Sequence, residues 1–506
     1  MSTEDSPLAG DAAAVIGGGI GGLSAACYLA DGGADVTLYE QRDQVGGVAG
    51  RLEQSGFRFD TGPSWYLMPD VFERFFAHFD RDPSDYYQLE RLDPHYRVFW
   101  KDGDRADVSD DLDAVRSLFE SYEPGGAAAL DDYLQTAAES YEIGMDRFVY
   151  EDRPRLRDFL DLDVVRSARG LTFLGTMQDH VEEYVDHPKL QQLLQYTLVF
   201  LGGAPTNTPA LYNLMSHVDL QLGVYYPEGG MYSVVEGLAQ LATEAGAEIE
   251  TGAEVTGIAG QPGRMRLDFQ QRPETTTDIA VANATPYHVE RELIPDRHQQ
   301  YDAEYWQDRT YAPGAFLLYL GVEGDVDPLA HHTLVLPTDW SGHFESIFED
   351  PAWPTDPSYY VNVPSRTDDT VAPEGHETVV ILVPIAAGLH DGPAVRSRYR
   401  EKVLRDLADH TGVDLRDRIV VEEMACISEF AEQFHQPRGT ALGLAHTLWQ
   451  TGPLRPSHRA GLDGLYYTGS YTTPGIGVPM AVISGEHTYD AVRADRVGDG
   501  QPRLPL

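Results

Sequence analysis

Residues 12–29 read AAAVIGGGIGGLSAACYL, and this stretch determines the kind of fold that the chain can adopt. The apolar residues before the glycines predict a short buried strand, and those after them predict a helix. Gly17, Gly19 and Gly22 have the G-x-G-x-x-G spacing. In that spacing the first glycine makes a tight turn, the second lets the backbone approach a pyrophosphate, and the third lets helix and strand pack closely. The stretch therefore predicts a dinucleotide-binding turn.

The residues after this turn strengthen the prediction of a nucleotide site. Asp35 to Tyr39 predicts a second strand, and Glu40 follows it directly. An acid about 20 residues beyond the glycines accepts a hydrogen bond from a ribose hydroxyl in dinucleotide-binding folds. Its charge would also repel the additional phosphate of NADP. The pattern therefore favours FAD or NAD.

A second group of motifs narrows the choice of nucleotide. A glycine pair ends at Gly47, Arg51 follows, and residues 56–64 read GFRFDTGPS. In this order the motifs resemble the FAD-dependent amine oxidase superfamily, and within it the phytoene desaturase type of carotenoid desaturase. The resemblance implies that Gly47 and Arg51 lie along the FAD pyrophosphate and that Gly62 lies near the flavin. Many members carry an arginine where this chain has Val48, which leaves Arg51 as the expected cation.

The C-terminal part of the chain supports the same resemblance independently. Residues 464–469 read GLYYTG, typical of a strand that ends in a glycine turn, and residues 474–485 read PGIGVPMAVISG. The N–H groups of a helix that begins there would stabilise negative charge on a reduced flavin. The resemblance adds Gly469, Gly477 and Met480 to the expected FAD-binding residues.

The nucleotide domain is predicted to be discontinuous, because segments typical of it occur in three separated places. The middle one resembles the family's central FAD segment, in which the backbone at Val255 meets the adenine. The predicted fold class is α/β, with a Rossmann-like FAD-binding domain, an α+β substrate domain and a helical insertion that faces the membrane. The expected ranges are 1–110, 226–289 and 420–506 for the FAD-binding domain, 290–419 for the substrate-domain sheet, and 111–225 for the insertion.

The composition of the chain argues against nucleic-acid binding. The 506 residues include 81 acidic and 37 basic side chains, a formal net charge of -44, and lysine occurs only at Lys101, Lys189 and Lys402. Nucleic-acid binding is not expected, since phosphate contacts need clusters of arginine or lysine. The acid is spread along the chain, which indicates a surface adapted to high salt, as in a halophilic archaeon.

The cysteine content and the length of the apolar runs indicate the location of the protein and its metal content. Cys27 and Cys426 form neither a disulfide framework nor a thiolate metal site, and no apolar run reaches the ~20 residues of a membrane span. We expect a cytoplasmic protein without a metal site. Histidines 331, 332, 435 and 446 are interpreted as surface or loop residues, and no residue is assigned as a catalytic acid or base.

The resemblance implies an activity. Members of the family remove hydrogens from adjacent saturated carbons of a lipophilic C40 polyene, pass them to FAD and give them up to oxygen or a quinone. The chain is therefore expected to desaturate phytoene towards lycopene, with peripheral membrane contact through the helical insertion. The alternatives are a later 3,4-desaturation in a bacterioruberin-type pathway, a flavin-dependent carotenoid isomerase, or another flavin oxidase acting on an amine or a porphyrinogen.

The acidic surface predicts a requirement for salt. Repulsion within a chain of net charge -44 is screened over about 10 Å at about 0.1 M salt and over about 3 Å at about 1 M. We expect activity and solubility to fall together on transfer to dilute buffer, measured by turnover and by the protein that stays in the supernatant. Full activity in dilute buffer would contradict the halophilic interpretation.

Overall fold

The computed structural model describes residues 6–153, 175–261, 263–447 and 449–498. Within them, five parallel strands form a first sheet, in the order Leu465–Tyr467, Ile279–Ala282, Ala12–Ile16, Asp35–Tyr39 and Glu248–Glu250. These strands come from the beginning, the middle and the end of the chain. Their carboxyl ends meet at one edge, which is where open α/β sheets bind ligands.

Three helices pack next to one another on the first sheet: Ile20–Asp31, Tyr232–Glu244 and Val478–Val497. A glycine allows the first and third of them to approach closely, because a Cβ atom at Gly485 would lie 2.4 Å from Ser24 Oγ. The same hydroxyl donates to the carbonyl of Val482 over 2.7 Å. The N-terminal turn and the C-terminal helix are thereby held together.

The second sheet has seven strands within the described chain, in the order Ile419–Ala425, Gly314–Glu323, His376–Ile385, Tyr359–Asn362, His332–Leu336, Tyr96–Trp100 and Arg105–Val108. The pairing is antiparallel except between His332–Leu336 and Tyr96–Trp100, which run parallel. Every residue of Gly314–Glu323 except the last is buried, so this strand forms the centre of a core of its own.

The membership of this sheet differs from the predicted ranges at both ends. Tyr96–Trp100, Arg105–Val108 and nearly all of Ile419–Ala425 fall within ranges expected for the nucleotide domain, but they pair with the second sheet. An apolar strand pattern indicates a strand without indicating its partner. Trp100, at the end of its strand, is fully buried and donates through its indole nitrogen to Gln192 over 2.7 Å, which ties this sheet to the helix Pro188–Gln195.

Within the described residues, the segment 112–222 is mainly helical. Its helices are Leu112–Tyr122, Gly126–Gly144, Met177–Glu182, Pro188–Gln195 and Leu214–His217, with short π or 3-10 turns at Met145–Val149, Tyr196–Leu201, Ala210–Asn213 and Val218–Leu222. Residues 154–174 of the predicted insertion lie outside the described residues. The large apolar side chains described in this region are buried or half-buried.

Smaller elements complete the described chain. The remaining strands are Val255–Gln261, Arg264–Phe269 and Thr275–Thr277 in one antiparallel sheet, Arg51–Gln54 paired with Phe57–Asp60, and Leu89–Arg91 paired with Tyr225–Pro227. The remaining helices are Pro69–His78, Pro286–His288, Ala303–Gln307, Ser341–Phe348, Pro393–Thr411 and Ile427–Phe434. Short helical turns occur at Pro83–Asp85, Val289–Leu293, Asp296–His298, Pro364–Arg366, Pro437–Gly439 and Gly452–Leu454. Among the described helices, none has the length and apolar character needed to cross a membrane.

Candidate active site

A cavity of about 570 Å³ begins at the carboxyl edge of the first sheet and extends to the second sheet. Its first end is lined by backbone and small side chains, including Gly17, Gly19, Gly47, Gly62 and Gly469. Its second end is lined by apolar side chains from the second sheet and the helical region. The two halves of the molecule therefore share one continuous internal space.

The three glycines of the N-terminal turn lie where a side chain would be strained or would clash. Gly17 has a φ of +98°, which favours glycine, and it forms the turn. A Cβ at Gly19 would lie 2.4 Å from Asn283 Nδ2, and one at Gly22 would lie 2.1 Å from the carbonyl oxygen of Gly17. Gly17 and Gly19 line the cavity, whereas Gly22 is absent from the described lining and lets helix and strand pack.

Glu40 lies at the end of its strand and faces the cavity, with 4% of its surface exposed. The backbone N–H of Gly18 donates to its Oε2 over 2.7 Å, and that of Arg42 donates to its Oε1 over 2.9 Å. A carboxylate accepts about four hydrogen bonds, so both oxygens retain capacity for ribose hydroxyls. Glu40 thus supports the glycine turn and also offers the acceptor that the sequence predicted.

The cation at the cavity differs from the expected one. The guanidinium of Arg51 pairs with Glu53 at 3.1 Å and Glu236 at 3.3 Å, and Arg51 is not among the described lining residues. Arg42 lines the cavity and donates through Nη1 to the carbonyl of Gly47 over 3.2 Å. Arg51 begins a surface hairpin with acidic neighbours, a context that spacing along the chain does not reveal.

Gly62 and Asp60 fix the position of the GFRFDTGPS motif, residues 56–64, against neighbouring backbone. A Cβ at Gly62 would lie 2.1 Å from the carbonyl oxygen of Val48, so this close backbone contact requires glycine. Asp60 accepts from the backbone N–H groups of Met231 and Tyr232 over 2.8 and 3.0 Å. Burial raises the pKa of Asp60 to about 6. The acid of this motif therefore caps the central helix and joins it to the cavity wall.

The central and C-terminal segments complete the first end of the cavity. Val255 lines it, and the preceding backbone is tied to the glycine turn through a bond from the N–H of Ala253 to the carbonyl of Glu40 over 2.8 Å. Gly469 and Gly477, with φ of +102° and +125°, also line it, as does Met480 in the first turn of Val478–Val497. The structure thus places these four predicted residues in the lining of one cavity, with Met480 packed against the cluster that contains Met145 and Leu214.

Asn283, which the sequence analysis did not single out, is the central side chain of this end. It follows the strand Ile279–Ala282, and its amide occupies the space left open by several glycines. Cβ atoms at Gly21 and Gly469 would lie 2.8 and 2.6 Å from its Oδ1. Glycines clustered in two distant motifs, the N-terminal turn and the turn at Gly469, were a signal for such a shared neighbour, although its identity was not predictable from spacing.

The apolar end of the cavity is uncharged. Among the described lining residues, the carboxylate and guanidinium groups are those of Glu40 and Arg42, both at the first end. Burial lowers the pKa of His288 and of His343 to about 4, so both rings are neutral near pH 7. The second end is lined by Met145, Val149, Leu214, Met215, Leu317, Leu334, Leu336, Trp340, Phe344, Ile347, Phe348 and Leu382.

Three of the four singled-out histidines are buried, which corrects their expected surface position. His331, His332 and His446 are 5%, 0% and 4% exposed. The ring of His332 stacks on Trp65 with centroids 4.0 Å apart. His331 and His446 do lie in loops and His332 lies in a strand, but all three rings are buried, so only the expected surface position was wrong.

His446 contacts the cavity in a defined tautomer. The backbone N–H of Ile476 donates to its Nε2 over 3.0 Å, so the neutral ring carries its proton on Nδ1. That N–H lies 2.5 Å from the hydroxyl oxygen of Tyr212 and donates to it. The Tyr212 hydroxyl, which is at the cavity, can then donate its own proton, while neither nitrogen of His446 is left to accept one from a substrate.

The structure also brings together Asp152, His458 and His487, with one potential ligand atom of each within 4.8 Å of the others. Thr473 connects two members of this group: its hydroxyl donates to Asp152 over 3.0 Å and contacts His458 Nε2 at 2.9 Å. The other nitrogen of His458 contacts Tyr467 and Thr488. These bonds position the loop beside Gly475, and we assign the group no metal.

The first end of the cavity fits a dinucleotide cofactor. Its backbone turns require glycine where the chain approaches most closely, a carboxylate with remaining acceptor capacity lies at the ribose position, and Arg42 supplies positive charge. A parallel sheet with these features defines a nucleotide-dependent α/β enzyme.

Comparison with known proteins identifies the family. The family described as flavin containing amine oxidoreductase matches residues 20–492, and the chain belongs to it. It is therefore an FAD-dependent oxidoreductase. It is 61% identical over 492 residues to a carotenoid 3,4-desaturase of Haloarcula japonica, covering 97% of this chain and 99% of the relative.

Two further similarities are more distant. The chain is 33% identical over 480 residues to a zeta-carotene-forming phytoene desaturase of Myxococcus xanthus, covering 93% of this chain and 91% of that protein. The structure of an oxidoreductase from Methanosarcina mazei is similar in fold, with a TM-score of 0.60 at 16% identity over 95% of this chain and 100% of that one.

Substitution of Gly19 tests the cofactor cradle. In Gly19→Val the branched side chain would meet Asn283 and fill the space for a pyrophosphate, so we expect a folded protein without yellow colour. The measurement is the flavin absorbance per protein, together with the circular dichroism spectrum. Gly342→Val is the matched control, because a Cβ at this exposed helical glycine meets nothing within 4 Å. Full flavin content in Gly19→Val would refute the assignment.

Proposed function

We propose that this protein desaturates a carotenoid. The observation that carries the proposal is the continuous cavity, in which a dinucleotide cradle opens into a long space with uncharged apolar walls. A polyene hydrocarbon buries well in such a space because it has no charge to neutralise. The names of the relatives from Haloarcula japonica and Myxococcus xanthus support the same substrate class.

The individual cofactor contacts are part of this proposal. Gly17, Gly19, Glu40 and Gly47 hold the nucleotide and pyrophosphate, with Gly22 as the packing glycine behind them. Val255 meets the adenine through its backbone, and Gly62, Gly469, Gly477 and Met480 surround the flavin. Except for Gly22, which packs behind the turn, their positions in the cavity lining support these roles. We assign the side-chain cation to Arg42, since Arg51 is engaged with Glu53 and Glu236.

The chain's own residues bind, orient and exclude water. When bound, FAD supplies the redox chemistry. The apolar wall from the second sheet and the helical region aligns the polyene and keeps solvent away from the reacting carbons. His446 is a poor proton acceptor because its Nε2 is occupied by the N–H of Ile476. The Tyr212 hydroxyl is retained as a donor, since burial raises its pKa.

Among carotenoid substrates we favour the 3,4 position of an already conjugated chain over phytoene. Identity of 61% to a 3,4-desaturase, against 33% to a phytoene desaturase, supports this choice. An amine substrate is disfavoured, because the described lining of the apolar end offers no carboxylate to pair with an ammonium group. Oxygen or a quinone remains the proposed electron acceptor.

The division into domains also remains a proposal. The first sheet and its helices support a discontinuous FAD-binding domain, and the second sheet supports a substrate domain. We assign the strands at 96–108 and 419–425 to the substrate domain, since they pair there. The helical region contributes Met145 and Leu214 to the cavity wall.

Peripheral membrane contact, at the cytoplasmic face, is proposed for a different surface from the expected one. The exposed large apolar side chains of the described residues lie outside 111–225, and Trp449 is 81% exposed. Leu454, close to it in sequence, is 37% exposed, and both follow the cavity residue His446. A tryptophan suits the interface between headgroups and water. A lipid-borne substrate would enter near this loop.

The decisive assay compares two substrates. FAD-loaded protein at high salt is mixed anaerobically with liposomes that contain either phytoene or a conjugated carotenoid still saturated at the 3,4 position. We expect one flavin to be reduced for each double bond formed, with a longer-wavelength carotenoid spectrum, for the second substrate only. The flavin-free Gly19→Val protein is the control. A changed carotenoid isomer with oxidised flavin would indicate an isomerase instead.

The membrane surface is tested by Trp449→Ser in liposome flotation at high salt. Burial of a large apolar side chain contributes about 1.5–3 kcal/mol, so its loss should weaken partitioning about tenfold or more. Val420→Ser is the matched control, because Val420 is 53% exposed on a strand of the second sheet. Equal flotation of both variants and the unchanged protein would rule out this loop as the contact.

A further inference from the structure

A buried cation lies behind the loop that lines the first end of the cavity. Arg455 is 5% exposed, and its guanidinium donates to four backbone carbonyls. The acceptors are Thr472 at 3.2 Å, Leu444 and Gln450 at 3.3 Å, and Ser470 at 2.5 Å. No salt bridge to a carboxylate is recorded for Arg455 within the described residues. Its positive charge is therefore solvated by peptide dipoles and is not neutralised.

The position of this charge relative to the cavity is set by Gly475. This glycine has a φ of +131°, and a Cβ there would lie 3.4 Å from the guanidinium carbon of Arg455 and 2.4 Å from His446 Nε2. The neighbouring residues Pro474 and Ile476 line the cavity. Arg455 is thus separated from the cavity by a single layer of backbone, and the glycine keeps that layer thin.

The group stays charged under working conditions. Burial lowers the pKa of Arg455 to about 10, which leaves the guanidinium protonated near pH 7. The titratable groups that act on it are Tyr212, Tyr305 and Tyr471, and burial raises the pKa of each, so they are neutral. A buried charge without an ionic partner is costly to the folded protein. Such a group is retained at functional sites where a negative charge develops nearby.

We propose that Arg455 stabilises the negative charge that FAD acquires when it is reduced. It acts through the backbone layer at Gly475 and adds a full unit charge to the partial charge at the N-terminus of Val478–Val497. Arg455 is in this sense a positioning residue, since it touches neither cofactor nor substrate. The inference rests on FAD lying with its flavin at this end, and it is independent of which carotenoid is used.

The test separates this electrostatic role from a structural one. Arg455 also ties the loop at 444–450 to the loop at 470–472, so its loss could loosen the fold. The variants are Arg455→Gln and Arg455→Met, which remove the charge, and Arg455→Lys, which keeps the charge in mildly acidic buffer of about pH 6 while losing most of the hydrogen bonds. Arg459→Gln is the matched control for net charge, because Arg459 is already paired with Asp495 at 2.9 Å.

The measurement is the two-electron midpoint potential of the bound flavin against a reference dye, with the dissociation constant for sulfite as a second readout. Neither requires a carotenoid, so failure here is distinct from failure of the proposed function. In Arg455→Gln and Arg455→Met we expect reduction to be less favourable by about tenfold, equivalent to about 30 mV, and sulfite to bind about tenfold more weakly.

The other variants complete the test. In Arg455→Lys and Arg459→Gln, the equilibrium constant for flavin reduction and the dissociation constant for sulfite should stay within about twofold of their values in the unchanged protein, even if thermal stability falls. An unchanged potential in Arg455→Gln, or an equal shift in Arg459→Gln, would overturn the proposal. If neither uncharged variant retains FAD, a midpoint potential that is lower by about 30 mV in protonated Arg455→Lys would overturn the proposal as well, because the charge is still present.

Discussion

The contact between Asn283 and the surrounding glycines is the constraint on which the nucleotide site depends. Three strands of the first sheet end at this point, and the amide of Asn283 occupies space that side chains at Gly19, Gly21 and Gly469 would need. Segments separated by more than half of the chain can approach only because these positions lack a Cβ. The same absence leaves backbone N–H groups accessible at the edge of the sheet, so packing and cofactor binding have one common cause.

The charged side chains of the cavity are concentrated at its nucleotide end. Glu40 and Arg42 mark the nucleotide end, Arg455 lies behind the loop next to it, and the described remainder of the lining has no carboxylate or guanidinium. Polar groups thus lie at the nucleotide end of the cavity, while apolar side chains line the end that we propose for the polyene.

Local patterns predicted the elements well, and their partners less well. The strands Ala12–Ile16 and Asp35–Tyr39 are confirmed. Each is a short apolar run with a glycine or an acidic residue next to its end, so its type and bounds could be predicted from local sequence. The pairing of Tyr96–Trp100 with the second sheet was missed, since partner choice depends on residues far along the chain. Our proposal of Arg42 in place of Arg51 has the same origin: Glu236, which pairs with Arg51, is brought there by folding. FAD as the cofactor is confirmed, and the individual contacts remain predictions.

The order of strands in the first sheet has a consequence for biogenesis. Its central strand, Ala12–Ile16, is synthesised long before an edge strand, Leu465–Tyr467. Ribosomes add about 5–20 residues per second, so the early strand waits many seconds for its partners. Pairings over such separations also form slowly. The cofactor therefore finds a complete binding site only after Leu465–Tyr467 and the helix Val478–Val497 have been synthesised, and apolar strands must be kept from aggregating until then.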